Sequence, residues 1–298
     1  MVLVKREFFI GKKAFDLYLT PSWIVIYILM AGLVAFTALP IIYVVSTAFK
    51  PLDELFLYPP RFFVRRPVFT NFTDLVTSLS SSAVPFARYA FNSIFISVMI
   101  VLCTVIVSAM GAFALVKHKP PGAKAIFAVV IAALMFSPHV TTIPRYLVVN
   151  GMALINTYWA LILPGIAVPY NFFLMKQFCE QIPDSLLESA RIDGAREFRV
   201  FWSIIMPAIK PAWATLVVLS FVQTWNDYFT PLIFTTSQAM RTMPLALQTI
   251  AGGAAIASIG RAGAVAASTF IMIVPTILLF TLMQRLVMQT MTHSGIKG

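Results

Sequence analysis

The chain has 298 residues, of which 59% are hydrophobic and only 11% charged. A soluble domain of this length carries roughly 25% charged residues, so the composition excludes that class and points to a polytopic membrane protein embedded in lipid. The net charge of +11 reads as loop charge that sets topology, and nucleic acid is excluded as a partner.

In chain order, the basic N-terminus (Lys5, Arg6, Lys12, Lys13) precedes an apolar run too long for a cleavable signal. Six segments reach the roughly 20 apolar residues that a spanning helix needs. They are residues 22–49, 92–116, 125–149, 157–175, 212–234 and 263–287, within one membrane domain over 1–298. Pro138 and Pro144 interrupt the third span, and Pro164 and Pro169 the fourth. These prolines predict bent helices whose freed carbonyls face neighbours or a water-filled path. Residues 50–91 form the longest outside connection, 180–210 a charged inside loop and 288–298 a tail. Cys103 and Cys179 lie in or beside apolar runs without metal-ligand spacing and read as packed thiols. No metal site is expected.

Fourteen of the 22 Lys and Arg fall on the side of the N-terminus, the Lys117–Lys124 loop, the 180–210 loop and the tail. The positive-inside rule places that side, with both termini, in the cytoplasm. The outside face keeps eight cations against Asp53, Glu54, Asp74 and Asp227. A positive mouth favours an acidic saccharide such as a uronic-acid oligomer. Interfacial lipid contact and docking to an acidic binding protein explain the same excess.

The densest charge in the chain lies between Glu188 and Arg199. Pro183 ends what precedes it, and Ser185 with Glu188 has capping-box spacing. Leu187, Ala190, Gly194, Phe198, Phe201 and Ile205 recur at helical spacing and predict an apolar stripe facing the membrane domain. Gly194 suggests a bend or a close backbone approach. Two readings fit: an amphipathic interfacial helix, or a docking knob for a cytoplasmic partner. Further on, Asp227 is a charge inside the fifth span, a rare and usually functional placement. Trp225, Asn226 and Tyr228 supply, with it, the aromatic faces and hydrogen-bonding groups that hold a sugar. The alternative is structural, with Asn226 bonding a neighbouring helix and Asp227 reaching the interface. His139 reads as bonded to a helix carbonyl, and Arg145 as an interfacial anchor.

Glu188-Ser189-Ala190, three residues, Gly194, nine residues, then Ile204-Ile205-Met206-Pro207 resembles the EAA loop of ATP-binding-cassette importer permeases. Ser189 stands for the family's Ala, and Met206 for its Leu. Phe49-Lys50-Pro51 with Glu54, the run from Ile143, Trp225-Asn226-Asp227-Tyr228 and the tail Gly295-Ile296-Lys297-Gly298 resemble the sugar-importer branch, close to the maltose-transporter-like subunits. The resemblance implies the type I permease fold, all-α with six transmembrane helices, in a bacterial inner membrane. It implies that Glu188, Ser189, Ala190, Asp193, Gly194, Ala195 and Pro207 couple to an ATPase, with Glu188 in a salt bridge to it, and that Gly295 and Lys297 touch it. It implies as partners a second, homologous permease, an ATP-binding cassette dimer that holds ATP and Mg, and an extracytoplasmic sugar-binding protein. No cofactor is expected in this chain.

No P-loop, His-Glu-x-x-His or Gly-x-Ser-x-Gly pattern occurs, so the chain is read as a transport subunit and not an enzyme. The expected function is ATP-driven import of an oligosaccharide by alternating access. The rival is an ion-coupled secondary transporter, which would usually show internal repeats and mid-membrane ionisable groups.

Overall fold

A computed structural model describes residues 5–10, 13–18, 21–80, 84–252 and 262–295. The chain divides into two compact units, Met1–Thr73 with Ser258–Phe270 and Asp74–Ala257 with Ile271–Gly298.

The first unit opens with an antiparallel hairpin, β1 (Lys5–Ile10) and β2 (Lys13–Tyr18), paired from Lys5↔Tyr18 to Ile10↔Lys13. The sequence reading did not anticipate these strands; among the described residues every regular element after them is a helix. Helix α1 (Pro21–Ala48) carries no Asp, Glu, Lys, Arg or His and holds Pro40 inside it. At 28 residues it is about 42 Å long, enough to span the bilayer. Its C-terminal end is built from polar contacts. Asn71, at the start of α3 (Thr70–Ser80), donates to the carbonyls of Ala48 and Lys50 at 2.9 and 2.8 Å. These are carbonyls that the helix end leaves without partners. A Cβ on Gly263 would lie 2.3 Å from Asn71 Oδ1, so only glycine fits there. The Phe49-Lys50-Pro51 and Glu54 motif forms this corner. Lys50 is buried, donates to the Arg61 carbonyl, and lies 5.0 Å from the centroid of the Tyr43 ring. Glu54, in α2 (Leu52–Leu55), accepts from the backbone N–H groups of Arg65 and Arg66 at 3.1 Å each, and Asp53 pairs with the Arg66 guanidinium.

The second unit is organised around α4 (Phe86–Phe113), which runs on through a π turn, Ala114–His118. One face is buried and carries small and polar residues, Ser93, Ser97, Thr104, Ser108, Ala109 and Ala112. Small side chains let helices approach closely in lipid, where apolar surface alone gives no preference for a neighbour. The other face is apolar and exposed, at Phe91, Ile94, Val98, Leu102 and Val107. Helices α7 (Tyr158–Ile166), α8 (Pro169–Glu180) and α12 (Lys210–Trp225) pack on α4. A Cβ on Gly165 in α7 would come within 2.7 Å of Ile100 on α4.

The spans differ in straightness. Residues Trp23–Ala48, Phe86–His118 and Ala262–Met288 are each long and apolar enough to cross a membrane. The last belongs to α15 (Ala262–Gly295). The fourth expected span is α7 and α8, bent by 42° at the Pro169 start. The third runs only as α5 (Ala123–Leu134) before breaking ahead of α6 (Thr142–Gly151). The carbonyl of Pro138 at that break accepts the hydroxyls of Thr141 and Thr142 at 2.9 and 3.0 Å. The fifth is α12 and then, after a break at Asn226–Tyr228, α13 (Phe229–Phe234). His139 is exposed with its ring 6.4 Å from Phe229. It makes that ring contact in place of the carbonyl hydrogen bond expected of it, because the break at Pro138 removes it from a helix interior.

Asn92 fixes the N-terminal end of α4. Its amide donates to the carbonyls of Ala239 and Arg241, both at 2.8 Å, and its oxygen accepts from the Tyr158 hydroxyl at 2.8 Å. Asn92→Ala orphans all three groups, and should lower unfolding stability in detergent by at least about 2 kcal/mol. The exposed neighbour Phe91→Ala serves as the control in the same thermal-unfolding measurement.

Candidate functional site

The charged loop begins where α8 ends. Pro183 has fixed φ and no N–H, and it supplies the extended residue before α9 (Asp184–Ile192) at φ −61° and ψ 137°, with no side-chain cap. The expected Ser185–Glu188 capping box is therefore not formed. Ser185 falls inside the first turn, and its carbonyl accepts the Ser189 hydroxyl at 2.9 Å. Asp184 takes the first-turn position, where a carboxylate is favoured by the helix dipole.

Gly194 closes α9. Its φ is +79°, a left-handed conformation costing other L-residues about 1–2 kcal/mol. The Ala195 N–H bonds the Ala190 carbonyl at 2.9 Å and the Gly194 N–H bonds that of Arg191 at 3.0 Å, the paired bonds of a Schellman ending. Nothing of this chain lies within 4 Å of a Cβ built on Gly194. Of the two expectations for this glycine, the bend is what the chain itself requires.

The loop's apolar side packs on the membrane helices. Leu187, Val200, Phe201 and Ile205 are buried in one core with Phe113, Met175 and Leu216, and Ala190 and Ala195 lie against it. Phe198 departs from the expected stripe and is 70% exposed. Gly194 ends one helix and α10 (Glu197–Val200) starts another, so the helical period does not carry across from Leu187 to Phe198. A second π turn, Phe201–Ile205, and α11 (Met206–Ala208), which contains Pro207, lead to a 78° corner before α12. The Trp213 indole N–H donates to the Met206 carbonyl at 3.1 Å across it.

The loop is clamped to the C-terminal end of α4, an attachment the sequence reading missed. The Lys117 ammonium donates to the Ile182 carbonyl and to Asp184 at 2.7 Å, and His118 Nε2 lies 3.3 Å from Glu197. Glu197 also accepts from Arg191 Nε at 2.9 Å. The hydrogen bond from Lys117, reinforced by its charge, holds the Asp184 carboxyl below its ordinary value, and the Glu197 bond raises Arg191. A lowered carboxyl stabilises the folded loop above the ordinary carboxylate range, and that contribution is lost as pH falls through the lowered value. The available signal was charge complementarity between Lys117-His118-Lys119 and the acids of the loop; it was used for topology alone. What the clamp leaves outward is a mixed ledge. Glu188, Ser189, Asp193 and Arg196 are exposed beside Leu186, Ile192 at 85% and Phe198.

The second candidate group lies at the end of α12. Trp225 is buried, and its indole N–H donates to the Met272 carbonyl at 3.0 Å. Asp227 Oδ1 accepts from the N–H groups of Phe229 and Thr230 at 2.9 and 3.0 Å, starting α13. Asn226 is exposed and donates to the Val222 carbonyl at 2.8 Å, and Tyr228 is exposed. Gly295 ends α15; Lys297 lies outside the described residues.

Apolar spans, a buried polar helix face and a surface loop bent by glycine define a multi-pass membrane subunit. Residues 14–293 match the family model of the binding-protein-dependent transport system inner membrane component. The chain belongs to that family and is a permease subunit of the sugar-type ATP-binding-cassette importers, a transport subunit and not an enzyme. It is 31% identical over 208 residues to the arabinooligosaccharides transport system permease protein AraQ of Halalkalibacterium halodurans, covering 70% of this chain and 73% of that one. It is 30% identical to the sn-glycerol-3-phosphate transport system permease protein UgpE of Yersinia enterocolitica, covering 70% and 73%. A crystal structure of a bacterial ABC transporter involved in the import of the acidic polysaccharide alginate contains a chain of the same fold. The TM-score is 0.76 at 22% identity, over 90% of this chain and 99% of that one.

Gly194→Val places a β-branched residue at positive φ and should speed tryptic cleavage around Arg191–Arg199 about tenfold or more. Gly194→Asn tolerates that conformation and should stay within about threefold of wild type. Equal rates for the two variants would show that φ is not what selects glycine.

Proposed function

We propose that this chain is one of two dissimilar membrane subunits of an importer that moves an oligosaccharide by alternating access, driven by ATP hydrolysis in separate subunits. The carrying observation is the outward ledge of α9 and α10, clamped through Asp184 and Glu197 to the C-terminal end of α4. Exposed apolar residues rimmed by charge mark a partner surface, and a docked helix must be stiffly joined to the spans if it is to move them. Glu188, Ser189, Ala190, Asp193, Gly194, Ala195 and Pro207 form or shape this ledge. Glu188 makes no ion pair among the described residues and is available for a salt bridge to the ATPase. ATP and Mg belong to that partner, and the ledge, with both termini, lies in the cytoplasm. Gly295 and Lys297 are proposed as further ATPase contacts.

On the substrate side, Trp225 and Asp227 Oδ1 already serve the fold. Asn226, Tyr228 and the second Asp227 oxygen are the groups left to meet a sugar. The preference for an acidic saccharide is weaker than charge counting suggests, because Lys50 and Arg66 are engaged within the chain. The arabinooligosaccharide relative favours an oligosaccharide, delivered by an extracytoplasmic binding protein.

The test is uptake by vesicles holding the full assembly, with ATP inside and no ion gradient. Gly194→Trp should leave the subunit in the membrane yet remove substrate-stimulated ATP hydrolysis. Uptake that requires an ion gradient would return the secondary transporter, and full coupling in the Trp variant would remove the ledge from the mechanism. Asp227→Asn preserves the Oδ1 acceptor that starts α13. A rise in KM of about tenfold or more in that variant would mark Asp227 as a sugar contact, the loss of one charged hydrogen bond. Unchanged uptake would leave it structural.

A further inference from the structure

A cleft of about 620 Å³ opens beside the clamp, where three membrane-embedded helices end. The π turn of α4 supplies Lys117 and the residue after it Lys119, the start of α5 supplies Lys124 and Phe127, and the end of α8 supplies Lys176 and Glu180. Two of its four ammonium groups are already committed. Lys117 is held by Asp184, and Lys176 by Glu180 at 2.6 Å, with the Phe127 ring centroid 3.9 Å from its nitrogen. Lys119 lies 4.0 Å from Asp184, a carboxylate that Lys117 already holds. Lys124 is exposed and makes no ion pair or hydrogen bond among the described residues. The cleft therefore presents two uncompensated positive charges, and the N-terminus of α5 adds partial positive charge at the same place.

The two lysines are fixed by their backbone. Lys119 at φ +46° and Gly122 at φ +84° flank Pro120-Pro121, and the Ala123 N–H closes the turn on the Pro120 carbonyl at 3.0 Å. Below them the lining changes character. Phe127 forms part of the wall, and α5 continues with exposed Ile126 and Val129 and no buried residue along its 12 residues. A free phosphate would satisfy the lysines and leave the apolar wall in contact with nothing. A ligand with an anionic head and a hydrocarbon tail satisfies both parts, and basic pockets between helix ends at the membrane surface suit such heads.

We propose that this cleft binds an anionic phospholipid, its headgroup phosphate between Lys119 and Lys124 and an acyl chain along α5. The proposal needs only that the chain spans a membrane; it does not depend on the sugar or on ATP coupling. Because Lys117 and Asp184 also line the cleft, the lipid lies against the joint that holds the α9 ledge.

The test is native mass spectrometry of the full chain, with whatever subunits co-purify, in detergent containing phosphatidylglycerol or phosphatidylcholine. Wild type should retain phosphatidylglycerol over phosphatidylcholine. Lys119→Gln with Lys124→Gln should weaken that retention by about 25-fold, near fivefold for each cation. Arg199→Gln, an exposed cation outside the cleft, should leave it unchanged. Lys124→Gln alone, at an exposed unpaired residue, keeps the fold and should show the single-cation loss. Undiminished retention in the double variant, or an equal loss in Arg199→Gln, overturns the site. Displacement of the lipid by millimolar inorganic phosphate would make it a soluble-anion site and likewise overturn the proposal.

Discussion

Asn92 and Lys117 stand on one continuous helical rod, roughly 38 Å apart at 1.5 Å per residue, and each supplies hydrogen bonds to backbone carbonyls of irregular segments outside that rod. In hydrocarbon every unpaired N–H or C=O costs several kcal/mol, so irregular segments survive only where protein groups complete them. At the N-terminal end the Asn92 amide satisfies Ala239 and Arg241. Ser93 accepts the Met243 N–H at 2.7 Å at the start of α14 (Met243–Gly252). At the C-terminal end Lys117 satisfies Ile182 and holds Asp184. The third, fourth and fifth spans, all in this unit, are bent or broken; α4 runs on past them, and the small residues on its buried face allow close approach.

The breaks follow the same rule. Where regular backbone stops, side chains take up part of the hydrogen bonding. Thr141 and Thr142 return to Pro138, and Asn156 at φ +64° accepts from Thr236 and Ser237 at 3.1 and 2.9 Å. Asp227 does the same at Phe229 and Thr230. A carboxylate inside a span thus has a structural task before any functional one, since it replaces the turn that the Asn226–Tyr228 break removes. Trp225 likewise resolves into a buried ring whose polar edge is bonded.

The spans and the charged loop were legible because both are written in local pattern, apolar length for one and the Glu188–Gly194–Pro207 spacing for the other. The bend at Gly194 could be anticipated from residue type alone, since left-handed backbone at a helix end selects glycine. Three features were not legible. The capping box failed because Pro183 fixes the helix start two residues before Ser185, a competition that spacing rules do not rank. Phe198 left the stripe because periodicity assumes one uninterrupted helix. The Lys117–Asp184 and His118–Glu197 contacts join residues 67 and 79 positions apart in sequence, and no local period encodes such a pairing. The Phe49–Glu54 motif was visible as a resemblance, whereas its role as a corner built on Lys50 and Glu54 needed coordinates.

A lever transmits force only if its joints are stiffer than its load. Surface ion pairs are worth little singly, and Asp184 and Glu197 are each well exposed, so charge alone would make a soft joint. The stiffness comes from the combination. The Lys117 side chain is 5% exposed, so its ammonium cannot swing into water, and releasing Asp184 would leave a buried cation short of a partner. Beneath it Leu187, Phe201 and Ile205 pack with Phe113 of α4 and Leu216 of α12. The loop therefore shares one packed core with the C-terminal end of α4 and the first half of α12. A 78° corner between Ala208 and Lys210 joins it to α12, the helix that leads to Asn226, Asp227 and Tyr228.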